Sequence, residues 1–388
     1  MIGAFLALLL AAPAPKAAAP HELRGLWVVR TALVSPEAVD RVVDQAAAAG
    51  FNALLVQVRG RGDAFYQSSL VPRSATLSRQ PPSFDPLARL LARARDKDLA
   101  VHAWVNVLLV AGFQGPLPAG HVLRRHPEWL MVPKAAAASA LREPASVVEL
   151  VRQASRSDAD VEGFYLSPGA PGVPEHLEAV VRELLRGYAF DGLHYDFVRY
   201  PNKDFDYSLA MLQAFRARRN GRDPLATALE ANGDYAQFRR ELLTDLVARL
   251  SGAARAERPG LVISAAVVPD EATALQVKFQ SWPSWSARGL LDALVPMAYS
   301  PDARIYREQV ERARDLVGGA RVWAGVPAYR LPLEGIVRRI ETARELGAGG
   351  VVVFSHESLG PEDLPRLRSL VFGADSRSPV ARPAGGGF

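Results

Sequence analysis

The sequence predicts an α/β fold, a (β/α)8 TIM barrel, from the alternation of its segments and from their number. Short β-rich runs alternate with longer Ala, Leu, Arg and Glu-rich segments between residues 22 and 357. This rhythm is typical of βα units around a parallel sheet. A doubly wound open sheet more often has roughly five or six strands, so the eight runs found here favour closure into a barrel.

The predicted strands are rich in β-branched, aliphatic and aromatic residues. They cover residues 23–30, 52–58, 100–107, 192–198, 262–268, 293–299, 322–327 and 350–355. The first helix has clear boundaries, because Ser35 can cap it, Pro36 suits its first turn and Gly50 can end it. The second strand follows directly.

One connection is too long for an ordinary βα unit. Residues 108–190 include the stretch GFYLSPGAPGVP, whose glycines and prolines indicate a loop. We therefore expect an elaborated loop region after the third strand, lying over one barrel end and shaping a substrate cleft. The barrel domain is predicted to span residues 22–372.

The two chain ends differ from the barrel in composition. Residues 1–20 carry an apolar run of about ten residues before an Ala/Pro spacer, which favours a secretory signal over a membrane span or a buried strand. Residues 373–388 have no apolar periodicity and are predicted to be disordered. The sequence therefore predicts an exported protein, periplasmic or extracellular, without stable membrane insertion once the signal is removed.

Composition narrows the functional classes. The 46 Lys and Arg residues exceed the 41 Asp and Glu residues only slightly, and no basic block stands out, so nucleic acid is not an expected partner. The absence of cysteine excludes disulfides, a thiol nucleophile and a lipid-bearing cysteine. Serine-hydrolase and nucleotide-binding signatures are also missing, which leaves carboxylate chemistry.

The fourth predicted strand carries ionisable residues in an otherwise apolar stretch, DGLHYDFVRYP at residues 191–201. Because strand side chains alternate, His194 and Asp196 share one face, and the apolar residues between and beside them share the other. The apolar face should pack under the helices, so His194 and Asp196 point into the barrel. Asp196 then lies nearest the carboxyl end, where barrel enzymes keep their active sites.

Polar and aromatic residues converge at the same end of other strands. They are Gln57 and Arg59 on strand two, His102, Trp104 and Asn106 on strand three, and Tyr299 closing strand six. For Gln57, Arg59 and His102 an internal hydrogen bond or a helix-facing ion pair is an equal alternative. Tryptophans that could stack on sugar rings lie in strands one, three and seven, at Trp27, Trp104 and Trp323, whereas Trp129, Trp282 and Trp285 lie in connecting segments.

A buried ionised Asp196 needs hydrogen-bond donors, which Arg199, His194 and the groups of strand three could supply. His194 and Asp196 could also ligate a cation. No HExxH motif or second His/Asp cluster accompanies them, so we expect neither a metal nor a cofactor.

Eight ordered stretches together resemble one known family. They are ELRGLWVVRT, VQVRGRGDAFYQSS, HAWVNV, HPEWLMV, YLSPGAPGV, FDGLHYDFVRYP, QSWPSWSARGLLDALVPMAYS and GGVVVFSHESL. The chain resembles the glycosyl-hydrolase-like 10 family from about residue 22 to residue 360. That resemblance implies an exported bacterial barrel acting on a polysaccharide, and members include glycosidases that cut peptide-stripped peptidoglycan strands. The family often has D-G-I-H-F-D-D-Y in strand four, whereas Phe197 here replaces the second acid, a version that ends in R-Y-P.

Glycoside hydrolysis ordinarily needs two carboxyl groups across the scissile bond. Asp196 is the first. Glu271, which with Asp270 follows strand five, is the preferred second, and Asp63 and Glu357 are competitors.

Our leading hypothesis is therefore a glycoside hydrolase acting on a peptidoglycan glycan strand or related polysaccharide, with Asp196 as nucleophile or base and Glu271 as acid. The predicted substrate-binding residues are Arg59, Trp104, Asn106, His194, Arg199, Tyr299 and Trp323. Two alternatives remain open: a glycan-binding barrel that has lost one catalytic carboxylate, and a metal-dependent hydrolase using His194 and Asp196.

Overall fold

The computed structural model describes residues 22–115, 117–218, 232–317 and 321–373. Eight parallel strands close into a barrel, as the sequence predicts. They are Leu23–Val28 (β1), Ala53–Arg59 (β2), Ala100–Asn106 (β3), Gly192–Asp196 (β6), Val262–Val267 (β7), Ala293–Pro296 (β8), Arg321–Pro327 (β9) and Gly350–Phe354 (β10). Around the barrel the order is β1-β10-β9-β8-β7-β6-β3-β2.

Two short strands lie outside the barrel. Leu109–Ala111 (β4) pairs antiparallel with Phe164–Tyr165 (β5). Because β4 follows the carboxyl end of β3 after two residues, this pair lies over that end of the barrel. The structure thus confirms the elaborated region predicted after the third strand.

The helices surround the strands and fill the long connections. They are Pro36–Ala49 (α1), Pro86–Asp96 (α2), Val122–Arg125 (α3), Ala137–Arg142 (α4), Val147–Ser155 (α5), Val173–Gly187 (α6), Leu209–Arg218 (α7), Asn232–Glu257 (α8), Glu271–Gln276 (α9), Trp282–Ala287 (α10), Ala303–Val317 (α11), Leu333–Glu345 (α12) and Asp363–Leu367 (α13). At α1, the Ser35 hydroxyl accepts a hydrogen bond from the Ala38 amide at 3.2 Å. Gly50 ends the helix with φ of 87°, as predicted.

Side-chain alternation produces two apolar cores. One lies between the strands and the helices and contains Leu193 and Tyr195 of β6. The other fills the barrel interior with Leu23, Trp27, Ala53, Leu55, Ala100, Trp104, Ala293, Val295, Trp323 and Val352. His194 and Asp196, which alternate with Leu193 and Tyr195, therefore face the interior.

No helix among the described residues is both long enough and apolar enough to cross a membrane. The predicted export segment at residues 1–20 lies outside the described residues, as does the predicted tail beyond Gly373.

Candidate active site

Asp196 ends β6 at the carboxyl end of the barrel, where 8% of the residue's surface is exposed. One carboxylate oxygen accepts a hydrogen bond from the Phe197 amide at 2.6 Å. Burial raises the pKa of Asp196 to about 6, although the Arg199 charge and this hydrogen bond act in the opposite direction. Phe197 has φ of 50°, a left-handed conformation that is uncommon for residues other than glycine and that often occurs at functional sites.

A second carboxylate, missed by the sequence analysis, lies close enough to influence Asp196. Glu162 precedes β5, and its charge helps to raise the pKa of Asp196. Arg199 Nη2 donates to Glu162 Oε1 at 2.7 Å, and the Tyr165 hydroxyl donates to Oε2. Burial alone would raise the pKa of Glu162, but the Arg199 charge and these hydrogen bonds outweigh burial and leave the pKa lowered.

A glycine at position 163 allows the backbone to place Glu162 over the barrel. Its φ is 155°, and a Cβ atom there would lie 2.0 Å from the Ala111 carbonyl oxygen of β4. Only glycine tolerates both that conformation and that approach. The stretch VEGFY therefore held a signal for Glu162, namely a glycine between the acid and a short strand.

Arg199 links the two carboxyl groups. It is buried, stacks its guanidinium 4.7 Å from the centre of the Phe197 ring, and interacts electrostatically with both Asp196 and Glu162. Its Nε and Nη1 atoms have no hydrogen-bond partner in the part of the chain that the structure describes. Of the predicted substrate-binding residues, Arg199 therefore acts directly on the carboxylate pair and retains unused donors.

Glu271 does not join this pair. As the first residue of α9 it accepts a hydrogen bond from Arg312 Nη2 of α11 at 2.7 Å, and 34% of its side chain is exposed. Neither the contacts nor the electrostatic partners of Asp196 include it. The structure thus gives no support to Glu271 as the second carboxylate, because its position on α9 turns it toward an outer helix.

The other acids considered from the sequence accept hydrogen bonds from main-chain amides. Asp270 caps α9 by accepting from the Thr273 amide at 2.8 Å. Asp63 accepts from the Arg61 amide at 3.0 Å, and Glu357 accepts from the Val29 amide at 3.1 Å.

His194 lies one layer below Asp196 and is fully buried. Its Nε2 accepts from Trp27 Nε1 at 3.2 Å, so Nδ1 carries the proton and donates to Ser264 Oγ at 2.9 Å. Burial lowers the pKa of His194 to about 3, which keeps the ring neutral. With both ring nitrogens bonded inside the barrel, His194 has neither nitrogen free for the predicted substrate contact or for the metal ligation considered as an alternative.

Two further predicted substrate contacts are also inside the protein. Arg59 is fully buried and donates to the carbonyl oxygens of Asn106 and Val107 at the end of β3. Trp323 is 1% exposed and meets His102 edge-on at 5.6 Å. Both side chains are therefore buried inside the protein rather than exposed in the cleft.

Trp104 and Asn106 form the floor beside Asp196. Asn106 pairs with Asp196 in the register of β3 and β6. Its Oδ1 accepts from Trp104 Nε1 at 2.9 Å and from Gln57 Nε2 at 3.3 Å, while its Nδ2 donates to the Gly60 carbonyl at 2.8 Å. These bonds use both lone pairs of Oδ1 and one N–H of Nδ2, so Asn106 has little hydrogen-bonding capacity left for a sugar.

An aromatic group forms the opposite wall. Tyr299 packs at 6.3 Å on Trp27 and at 5.6 Å on Phe354, and burial together with the Asp196 charge raises the pKa of its hydroxyl well above the usual value. Tyr329 meets Tyr299 edge-on at 6.0 Å and is 48% exposed. Tyr299 thus lies beside the acid as predicted, and Tyr329 adds an accessible ring that the sequence analysis missed.

A cleft of about 540 Å³ opens next to Glu162. Its lining includes Arg30, Arg61, Asp63 and His121. That volume falls within the range of small-molecule and cofactor sites. Among the described residues no group of three or more His, Asp or Glu side chains is arranged to hold a metal ion.

The chain is similar in sequence to a known protein family. Residues 22–332 match the family described as Glycosyl hydrolase-like 10. Glycosyl hydrolase DigH of Escherichia coli (strain K12) is 25% identical over 290 residues, which are 70% of this chain and 60% of DigH. Glycosyl hydrolase YngK of Bacillus subtilis (strain 168) is 25% identical over 169 residues, 42% of this chain and 28% of YngK. The chain thus spans less than two thirds of either relative.

The fold has solved counterparts as well. The glycoside hydrolase domain of PgaB (BpsB) from Bordetella bronchiseptica superposes with a TM-score of 0.68 at 15% identity, covering 92% of this chain and 100% of that domain. This likeness shows a shared barrel fold.

Proposed function

Because this chain belongs to the glycosyl hydrolase-like 10 family, we propose that it hydrolyses glycosidic bonds with Asp196 and Glu162 as its pair of carboxyl groups. The observation that carries the proposal is the electrostatic coupling of these two acids, both of which interact with Arg199, together with the open cleft that Glu162 lines. Two carboxyl groups with separated protonation states are what glycoside hydrolysis requires.

The environments of the two acids assign their roles. Asp196, with a pKa of about 6, retains a proton more readily than an ordinary aspartate and donates it to the leaving oxygen. Glu162, whose pKa is lowered, stays ionised and either attacks the anomeric carbon or activates water. This assignment reverses the roles expected from the sequence, where Asp196 was the nucleophile or base.

The neighbouring side chains prepare the pair for reaction. Arg199 and Tyr165 hold Glu162 by one hydrogen bond to each oxygen, which fixes the carboxylate plane. Tyr299 and the exposed ring of Tyr329 offer aromatic surface on which a sugar ring can stack.

The proposed substrate is a peptidoglycan glycan strand or a related bacterial polysaccharide, reached after export from the cell. The family resemblance and the apolar segment at residues 1–20 support this proposal.

The test is to incubate the protein with peptide-stripped glycan strands, intact sacculi and neutral polysaccharides, and to identify the products by mass. We expect release of saccharides from one of these substrates. Asp196→Asn, which cannot donate the proton, should lower kcat/KM by about 10²- to 10⁴-fold on that substrate. Full activity of the variant would refute the catalytic role, and no release by the native protein from any substrate would favour the glycan-binding alternative.

A further inference from the structure

A second cavity, of about 490 Å³, opens at the same end of the barrel. Its lining comes from three regions that follow the carboxyl ends of β3, β6 and β7, and from the start of α8. The lining residues are Lys134, Lys203, Asp204, Tyr207, Gly233, Ala236, Arg239, Arg240, Gln276 and Phe279. We call this the basic cavity, because four of these side chains are cationic and only Asp204 is acidic.

Within the part of the chain that the structure describes, the cations of the basic cavity form no ion pairs, although the Glu241 carboxylate acts on Arg240 electrostatically. Among the described residues none of the four, Lys134, Lys203, Arg239 and Arg240, forms a salt bridge within 4.0 Å, although most of the surface arginines on the outer helices do. A concentration of unpaired positive charge in a concave site attracts anions.

Arg239 is built into the wall of this cavity. It is only 3% exposed, and its guanidinium lies 4.0 Å from the centre of the Phe279 ring and 4.6 Å from that of Tyr235. Its Nη1 donates to the carbonyl oxygens of Lys203, at 2.7 Å, and of Phe205. The buried carboxylate of Asp206 also acts on Arg239, but its own oxygen accepts from the amides of Val132 and Ser208.

The basic cavity adjoins the candidate active site across one turn. Lys278 interacts electrostatically with Arg199 and Glu162, whereas the next residue, Phe279, covers Arg239. The Tyr200 amide donates to the Lys278 carbonyl at 3.1 Å, which fixes this turn against the segment that follows Asp196. A glycan lying across the barrel mouth can therefore contact both sites.

We propose that the basic cavity is a subsite that binds the carboxylate of an acidic sugar unit in the glycan. Guanidinium and ammonium groups form charge-assisted hydrogen bonds with carboxylates, and Gln276 at the rim can bond to neighbouring hydroxyls. This inference rests on the proposed function, because the acidic sugar belongs to the same chain that Asp196 and Glu162 cleave.

The test measures binding without cleavage, by calorimetry with the Asp196→Asn variant. The probes are a peptide-free glycan tetrasaccharide that carries lactyl carboxylates and the same compound with those carboxylates reduced to alcohols. We expect the acidic probe to bind about tenfold more tightly at low salt. Adding Lys134→Ala and Lys203→Ala should abolish that preference, since both side chains are exposed and their loss leaves the core intact.

The matched control removes two exposed cations from the opposite end of the barrel, Arg95 of α2 and Arg288 after α10, as Arg95→Ala and Arg288→Ala. It should keep the preference for the acidic probe. Equal affinity for the two probes, binding of neither, or an equal loss in the control would overturn the proposal. If the native protein cleaves no glycan but still binds the acidic probe more tightly, the proposed carboxylate subsite is supported. Only the proposed hydrolytic activity is then refuted.

Discussion

At the scale of single residues, Asp196 carries a charge that the folded protein disfavours. Its pKa of about 6 in the fold exceeds the ordinary value of 3.8, mainly because of burial. The folded state therefore binds the proton more tightly than the unfolded state does. The stability contributed by the protonated group is complete below about pH 4 and is lost as the pH rises through 6.

Asp196→Asn should consequently stabilise the protein at pH 7.5 while it lowers the activity. The uncharged amide removes the buried charge, and the gain in the free energy of unfolding is at most about 3 kcal/mol. Chemical denaturation at pH 7.5 and at pH 4 measures it, and the difference from the native protein should shrink at pH 4. Equal stability of Asp196→Asn and the native protein at pH 7.5 would mean that burial does not disfavour the ionised carboxylate of Asp196.

Residue-level predictions from sequence succeeded where alternation decides the direction of a side chain. Asp196 lies at the barrel mouth, where the strand pattern placed it. Tyr299, predicted to close the sixth strand, instead lies three residues beyond the end of that strand at Pro296, although it is still close enough to Asp196 to interact with its charge. Arg59 does not lie where the pattern placed it, because the pairing of β2 with β3 is irregular between Gln57 and Arg59 and the guanidinium reaches carbonyl oxygens at the end of β3. The sequence pattern of β2 does not predict that irregular pairing.

At the scale of elements, the short β4–β5 pair positions Glu162. Leu109 of β4 pairs with Tyr165 of β5, which carries the chain back over the barrel end. The contact depends on Gly163, whose backbone passes the Ala111 carbonyl too closely for a Cβ atom. Sequence patterns could indicate an elaborated loop here but not this pairing, because two-residue and three-residue strands have no measurable periodicity.

Gly163→Ala should therefore displace Glu162 and lower kcat/KM by about 10²-fold, since small shifts of a catalytic group are costly. Far-UV circular dichroism should remain native, because the pair lies outside the barrel sheet. The matched control is Gly187→Ala at the end of α6, where an added Cβ meets nothing within 4 Å. Full activity of Gly163→Ala would show that the geometry of the β4–β5 pair does not matter for catalysis.

At the scale of the whole molecule, the closed barrel gathers the carboxyl ends of all its strands at one mouth. Eight alternating runs were enough to predict that architecture and to place Asp196 at the mouth. The partner acid could not be predicted in the same way. Glu162 comes from an excursion between β3 and β6, whereas Glu271 directly follows β7 yet points to α11. Closeness to a strand end in sequence therefore does not guarantee closeness to the active site.

The most direct test of the catalytic pair compares Glu162→Gln with Glu271→Gln. Both substitutions replace a carboxylate with an isosteric amide on a residue that is bonded to an arginine. We measure kcat/KM on the glycan that the native protein cleaves. If Asp196 and Glu162 are the catalytic pair, we expect kcat/KM to fall by about 10²- to 10⁴-fold in Glu162→Gln and to stay at the native value in Glu271→Gln. Native activity in Glu162→Gln, with loss in Glu271→Gln, would contradict this assignment of the pair.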